Sequence, residues 1–203
     1  MASKLPALPD TRTDPELVQR FLNGDRTARD RVLAHWAPTV LAWCMRMGGR
    51  RVDAHDAAQD VMIVILTKGH TCRDAEKFPA WVYGVTRKVL GRHRTVAWVR
   101  KWTGGLVPDR ADGGHSPRVR AQVSQTGRRV QDVLETLTAA QRDLLILHDL
   151  EGRSATEVGK LIGVPSGTVK SRVRRARELF RMEAARRSLS MPMVDALREG
   201  MTQ

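Results

Sequence analysis

Lys170, Ser171, Arg174 and Arg175 fall within one run, TVKSRVRRAREL, of a 203-residue chain. An arginine fork matches phosphate oxygens and the O6/N7 edge of guanine, whereas serine and lysine discriminate less between bases. Thr168 stands just ahead of them, at the amino end of a helix, where hydroxyl, backbone N–H groups and helix dipole converge on a phosphate. Arg172 suits solvent or phosphate rather than a base. The chemistry on offer is recognition of a nucleic acid.

Side chains of this kind need a helix held at a set angle, and the residues around them supply one. Ser154 and Glu157 have the spacing of a capping box, in which hydroxyl and carboxylate each satisfy an orphan N–H. Val158, Leu161 and Ile162 give a short first helix its apolar stripe, and Gly163 is the residue that most easily leaves it. A second helix starts near Pro165 or Ser166, where a fixed φ and a capping hydroxyl favour initiation. Val169, Val173, Ala176 and Phe180 recur at helical spacing and face inward. Lys170, Ser171, Arg174, Arg175 and Arg177 lie off that stripe. Two helices around a tight turn, the second loaded with cations, make a helix-turn-helix.

The charge of the whole chain agrees. The net charge is +13, which calls for a polyanionic partner. It is concentrated in two places: Arg87 to Lys101 holds six Lys/Arg and no acid, and Lys170 to Arg177 holds five and no acid. Two patches imply two meetings with phosphate. The longest apolar run, Val61 to Leu66, is far too short to span a bilayer, so no membrane insertion is expected. The amino-terminal MASKLPALPD has no apolar core and is not a secretory signal, which places the chain in the cytoplasm. Cys44 and Cys72 form neither a disulfide framework nor a zinc set, and the nearby His70 lacks a second ligand pair. No Gly-rich phosphate loop, nucleophile elbow, HExxH or paired-cysteine motif is present. Neither catalysis nor a cofactor nor a metal is expected.

Helical signals dominate the rest, without a convincing alternating strand. Asp14-Pro15-Glu16 starts a helix with Leu17 and Phe21 on one face and Gly24 as its stop. A helix or helix pair runs from about Asp25 to Met47, with Trp36 and Trp43 in the core and Pro38 breaking or kinking it. Asp53 to Lys68 forms a third helix, with Ala57, Ala58, Val61, Val64 and Ile65 at core spacing. After a loop from Gly69 to Lys77, another helix passes through Trp81, Val85 and Val89 into the first basic segment. Between Gly104 and Ser124 the glycines, Pro108 and Ser116-Pro117 read as a flexible linker. From about Arg128 a second module begins with Val130, Val133, Leu134 and Leu137, followed by Leu144 to Leu150 and the helix-turn-helix. The expected fold is all-α: two small helical domains joined by a flexible linker, the C-terminal one containing the helix-turn-helix. After Arg187, a tail carries Leu189, Met191, Met193, Val194 and Leu197 and reads as a frayed helix.

These residues also resemble a known family. LTAAQRDLLILHDLEGRSATEVGKLIGVPSGTVKSRVRRAREL closely resembles the promoter-reading C-terminal domain of bacterial extracytoplasmic-function (ECF) sigma factors of the sigma-70 type. DAHDAAQDVMIVIL and FPAWVYGVTRKVLGRHR resemble the N-terminal domain of the same family. The resemblance implies an alternative sigma factor that binds core RNA polymerase and directs it to promoter DNA, and a dedicated anti-sigma factor as a further partner. It implies residues 14–103 as a region 2-like domain, 104–126 as linker and 127–187 as a region 4-like domain. Residues 1–13 are left as a disordered start and 188–203 as the tail. By the same resemblance, Asp56, Gln59 and Asp60 contact the clamp coiled coil of the polymerase, with Met62 where an aromatic is common. Thr168, Lys170, Ser171, Arg174 and Arg175 read the minus-35 element; His148 stands where the family often has arginine. Arg87, Lys88, Arg92 and Arg94 hold the minus-10 strand, next to a base-trapping loop from His70 to Glu76. Lys88 replaces a common asparagine there, exchanging a base-reading amide for a point charge. Trp81 reads as a core anchor; for Trp98 and Trp102, stacking on bases and packing within the module both remain open.

A helix-turn-helix regulator that does not replace the polymerase's sigma subunit is the alternative. Such proteins commonly carry an α/β sensing domain in front, and no strand-like segment precedes the linker.

Overall fold

The computed structural model describes residues 11–50, 52–102 and 125–187, with side chains omitted at 98–102 and 125–128. These residues form two compact units, and no strand occurs among them. Residues 104–124 of the expected linker and the C-terminal tail lie outside the described residues; Gln125 and Thr126, counted with the linker, instead begin a helix, because the turn they start is continuous with the one carrying Val130 and Val133.

The first unit holds α1 (Pro15–Leu22), α2 (Arg26–Met47), α3 (Ala54–Lys68) and α4 (Phe78–Trp102), with short 3-10 turns at Gly69–Thr71 and Ala75–Lys77 between the last two. Each of the first three helices begins at an aspartate whose carboxylate accepts from the exposed backbone N–H groups: Asp14, Asp25 and Asp53. Asp25 is held below its ordinary carboxylate value, first by the Ala28 N–H and then by Arg20. An aromatic cluster ties the helices together. Trp36 and Trp43 are fully buried, with ring centroids 6.1 Å apart. Phe78 packs edge-on against Trp36 at 5.9 Å and Phe21 at 5.8 Å, and Tyr83 meets Trp43 at 5.6 Å. Burying side chains of this size stabilises the unit by about 1.5–3 kcal/mol each.

Four local expectations change in this unit. Val64, set at core spacing, is only half-buried, because Val61 and Ile65 take the centre of that helix's inward face. Val18, not Leu17, accompanies Phe21 into the core. Trp81 is half-buried and stacks on Phe78 at 5.6 Å, so it rims the core instead of anchoring it. Helix α2 also runs through Pro38 without ending. The exposed proline forfeits one ladder bond, while Trp36, Thr39, Val40 and Trp43 on either side are buried and hold the helical path.

The second unit holds α5 (Gln125–Thr136), α6 (Ala139–Leu145), a π-turn at Ile146–Leu150, α7 (Ala155–Ile162) and α8 (Ser166–Arg186). Its core gathers Val130, Val133, Leu134 and Leu137 with Leu145, Ala176, Phe180 and Ala184. Arg142 is buried because its guanidinium closes the end of α5, donating from Nε to Leu134 O at 2.9 Å and from Nη2 to Leu137 O at 3.3 Å. Leu134 O also accepts from the Leu137 N–H at 3.2 Å, and Leu137 lies just past the helix end, so the side chain adds to the closure of that end.

Candidate nucleic-acid interface

Both halves of the predicted capping box form at the start of α7. The Ser154 N–H donates to Glu157 Oε2 at 2.9 Å, and the Glu157 N–H donates to Ser154 Oγ at 3.2 Å. The helix ends at Gly163, whose φ of 73° is left-handed and cheap only for glycine. Gly159 is equally constrained, for a different reason. The returning chain crosses so close that a Cβ there would sit 2.6 Å from Val164 O. Helix α8 then starts after Pro165 without a side-chain cap, so the hydroxyl expected to initiate it plays no such part.

On α8 the predicted division of faces holds. Val169, Val173, Ala176 and Phe180 are buried, and Ala184 extends the stripe. Lys170, Ser171, Arg172, Arg174 and Arg175 are exposed, while Thr168 is half-buried. The Ser171 hydroxyl donates to Thr168 O at 3.0 Å, which keeps it along the helix surface. Arg175 Nη1 donates to Glu178 at 3.1 Å, an exposed pair one turn apart. Arg177 departs from this group. It reaches Asp149 in the π-turn, with Nε donating to Oδ2 at 2.9 Å and Nη2 to Oδ1 at 2.5 Å. His148 Nδ1 lies 2.9 Å from the same Asp149 carboxylate, so the residue standing where an arginine is common is engaged inside the unit.

In the first unit, Asp56 and Gln59 are exposed on α3. Asp60 is half-buried and turned toward α4, where His93 Nε2 lies at 2.9 Å and Arg92 at 3.7 Å. Of the four cations singled out in the first basic segment, Lys88 and Arg92 are exposed. Arg87 and Arg94 are half-buried, and Arg94 donates to Met47 O at 3.4 Å. Ile63 and Leu66 are exposed on α3, two apolar side chains that the periodicity did not single out. The side chains of Trp98 and Trp102 lie outside the described residues.

Cys44 and Cys72 are unpaired thiols and both are buried. Burial pushes the Cys44 thiol up to about 12, so it stays protonated near neutral pH. No helix among the described residues is long and apolar enough to cross a membrane.

An all-helical chain whose second unit presents a capped helix-turn-helix with an exposed cationic face belongs among the DNA-reading transcription proteins. Residues 32–104 match the family of sigma-70 region 2, and residues 127–180 match sigma-70 region 4. The chain is 30% identical over 173 residues to the ECF RNA polymerase sigma factor SigD of Mycobacterium tuberculosis, covering 82% of each protein. It is 29% identical over 178 residues to the ECF RNA polymerase sigma factor ShbA of Streptomyces griseus, covering 83% of this chain and 92% of that one. A solved structure of CnrH in complex with the cytosolic domain of CnrY shares the fold, with a TM-score of 0.58 at 20% identity over 85% of this chain and 96% of that one. The chain belongs to the ECF group of sigma-70-type RNA polymerase sigma factors. It is an alternative sigma factor, a non-enzymatic subunit for transcription initiation.

Proposed function

We propose that this sigma factor divides its work between residues 14–103 and 127–187, with 104–126 as the tether and 1–13 and 188–203 outside both. The carrying observation is the exposed row Lys170, Ser171, Arg174 and Arg175 on a helix whose opposite face is wholly buried. That row, with Thr168 at its amino end, reads the upstream (minus-35) element in the major groove. Lys88 and Arg92 hold the backbone of the downstream (minus-10) strand, with Arg87 and Arg94 behind them, by contacts that depend little on sequence. The exposed Asp56 and Gln59 meet core RNA polymerase, with Asp60 at the edge of that face. The protein works in the cytoplasm, where its DNA is. A protein partner of the anti-sigma kind covers these faces when the factor is silent. The binary complex of the structurally similar CnrH supports that reading.

The deciding experiment is transcription in vitro with core RNA polymerase on fragmented genomic DNA of the source organism, followed by mapping of 5′ ends. New start sites sharing two spaced upstream motifs are expected. Duplex binding without any new start would favour a regulator that acts beside another sigma subunit. Within such promoters, Arg175→Ala should weaken use by about 1–3 kcal/mol if the guanidinium reads a base. Equal loss on scrambled upstream motifs would reduce Arg175 to a phosphate contact.

A further inference from the structure

Five cations stand along α8 between Lys170 and Arg177, and one of them is spent inside the protein. Arg177 makes a two-pronged bond to Asp149, 28 residues earlier in the chain. Lys170, Arg172 and Arg174 form no ion pair among the described residues, and Arg175 meets only its neighbour Glu178. The Arg177–Asp149 pair is also better sheltered, with side-chain exposures of 40% and 26% against 65% and 46% for Arg175–Glu178.

The backbone is shaped to deliver Asp149 to that place. Ile146–Leu150 is a π-turn, closed by the Glu151 N–H donating to Ile146 O at 2.9 Å. Turns of this width are rare and commonly mark functional positions. The Arg153 N–H donates to Leu147 O at 3.2 Å, and its guanidinium pairs with the buried Glu151 at 2.8 Å, so the chain leaving the turn is also held. His148 sits against the Asp149 carboxylate at 2.9 Å and restricts its rotation. Burial alone would raise the pKa of Asp149, but Arg177 and then His148 outweigh it and hold the carboxyl below its ordinary value.

We propose that Asp149 and Arg177 form a positioning clamp that sets the angle at which α8 presents Lys170, Ser171, Arg174 and Arg175 to DNA, and that Arg177 touches no nucleic acid itself. The fork geometry suits this task, because two parallel N–H···O bonds fix orientation as well as distance. A lysine ammonium would supply the charge without the direction. The clamp rests on the reading of α8 as the minus-35 helix.

The test measures binding of wild-type and variant chains, each assembled with core RNA polymerase, to a promoter fragment recovered by start-site mapping and to that fragment with its upstream motif scrambled. Binding is followed across roughly 50–300 mM KCl, with thermal melting of each full-length chain recorded alongside. Arg177→Ala should reduce discrimination between the two fragments by about tenfold, the order expected when one member of a charged hydrogen-bonded pair is removed. Its salt slope should stay that of the wild type, whereas Lys170→Ala should lower the slope by about 0.9. Arg177→Lys should restore little. The exchanged pair, Asp149→Arg with Arg177→Asp, should restore most of the discrimination. Asp149→Asn preserves shape and supplies a folded variant without the charge; it should lose discrimination as Arg177→Ala does. A salt slope lowered by Arg177→Ala would make Arg177 a phosphate contact and overturn the clamp. Unchanged discrimination in a folded Asp149→Asn or Arg177→Ala chain would also overturn it, leaving the pair a purely structural bond. A wild type that binds both fragments equally would refute the minus-35 reading itself, and the clamp with it.

Discussion

Asp60 and His93 meet across α3 and α4, Oδ2 to Nε2 at 2.9 Å, with Arg92 flanking the same carboxylate at 3.7 Å. The pair joins residues 33 apart in sequence and separates Asp60 from Asp56 and Gln59, which share its helix but face solvent. Three polar residues in one helical run are therefore divided between a cross-helix pair and an exposed face. Asp56→Ala with Gln59→Ala should lower affinity for core RNA polymerase and leave the melting temperature of the free chain unchanged. Asp60→Asn should instead cost about 0.5 kcal/mol of stability, the scale of a partly exposed pair. A native gel with core polymerase and a thermal melt separate the two; an Asp56/Gln59 variant that binds core normally would remove that face from the interface.

Arg175 donates to Glu178, so the proposed DNA contact requires the arginine to exchange a carboxylate for a base or phosphate. Glu178→Gln removes the competitor and the local repulsion of DNA. Affinity for duplex should rise by roughly twofold to threefold, on scrambled as well as cognate sequence, with a steeper salt dependence. Fluorescence anisotropy with both duplexes reads this directly; a gain confined to cognate DNA would mean Glu178 shapes specificity instead.

The lowered pKa of Asp149 makes a signed prediction. A carboxyl whose folded value lies below its unfolded one stabilises the fold above the unfolded value, near 3.8, and loses that contribution as pH falls through the folded one. The stability gap between wild type and Asp149→Asn should therefore shrink as pH falls below about pH 4. Thermal melts across that range check it; a gap that widens on acidification would reverse the sign.

Gly159→Ala places a methyl group against Val164 O, a backbone atom that cannot rotate away. The expected cost is about 1–3 kcal/mol of stability, as for overpacking elsewhere. Ala at the exposed Gly167, where a Cβ meets nothing within 4 Å, should cost far less and serves as the control. Circular dichroism melts of both variants decide the point.

Much of this was legible along the chain because it depends on neighbours within one helical turn. The Ser154–Glu157 box, the stripe from Val169 to Phe180, the stop at Gly163 and the aspartate caps are all bonds or contacts over four residues or fewer. Glu178 was within the same reach, three residues from Arg175, and opposite charges at that spacing are a readable signal. The continuity of α2 through Pro38 was not readable. A proline's local penalty is visible in sequence, whereas the burial of Trp36, Val40 and Trp43 that outweighs it belongs to the assembled core.

The amino-acid sequence by itself determined where helices form, the capping box at Ser154 and Glu157, and the buried and cationic faces of α8, since periodicity and short motifs encode these locally; its runs also carry the resemblance to ECF sigma factors. Only the tertiary structure decided which polar groups of those faces remain available. By spacing Arg177 lies among the cations proposed to face DNA, and by helix Asp60 lies among the residues proposed to face the polymerase. Yet each is turned inward by a partner 28 or 33 residues away. Such pairings depend on where helices cross, and crossing is set by the packing of buried side chains from distant parts of the chain.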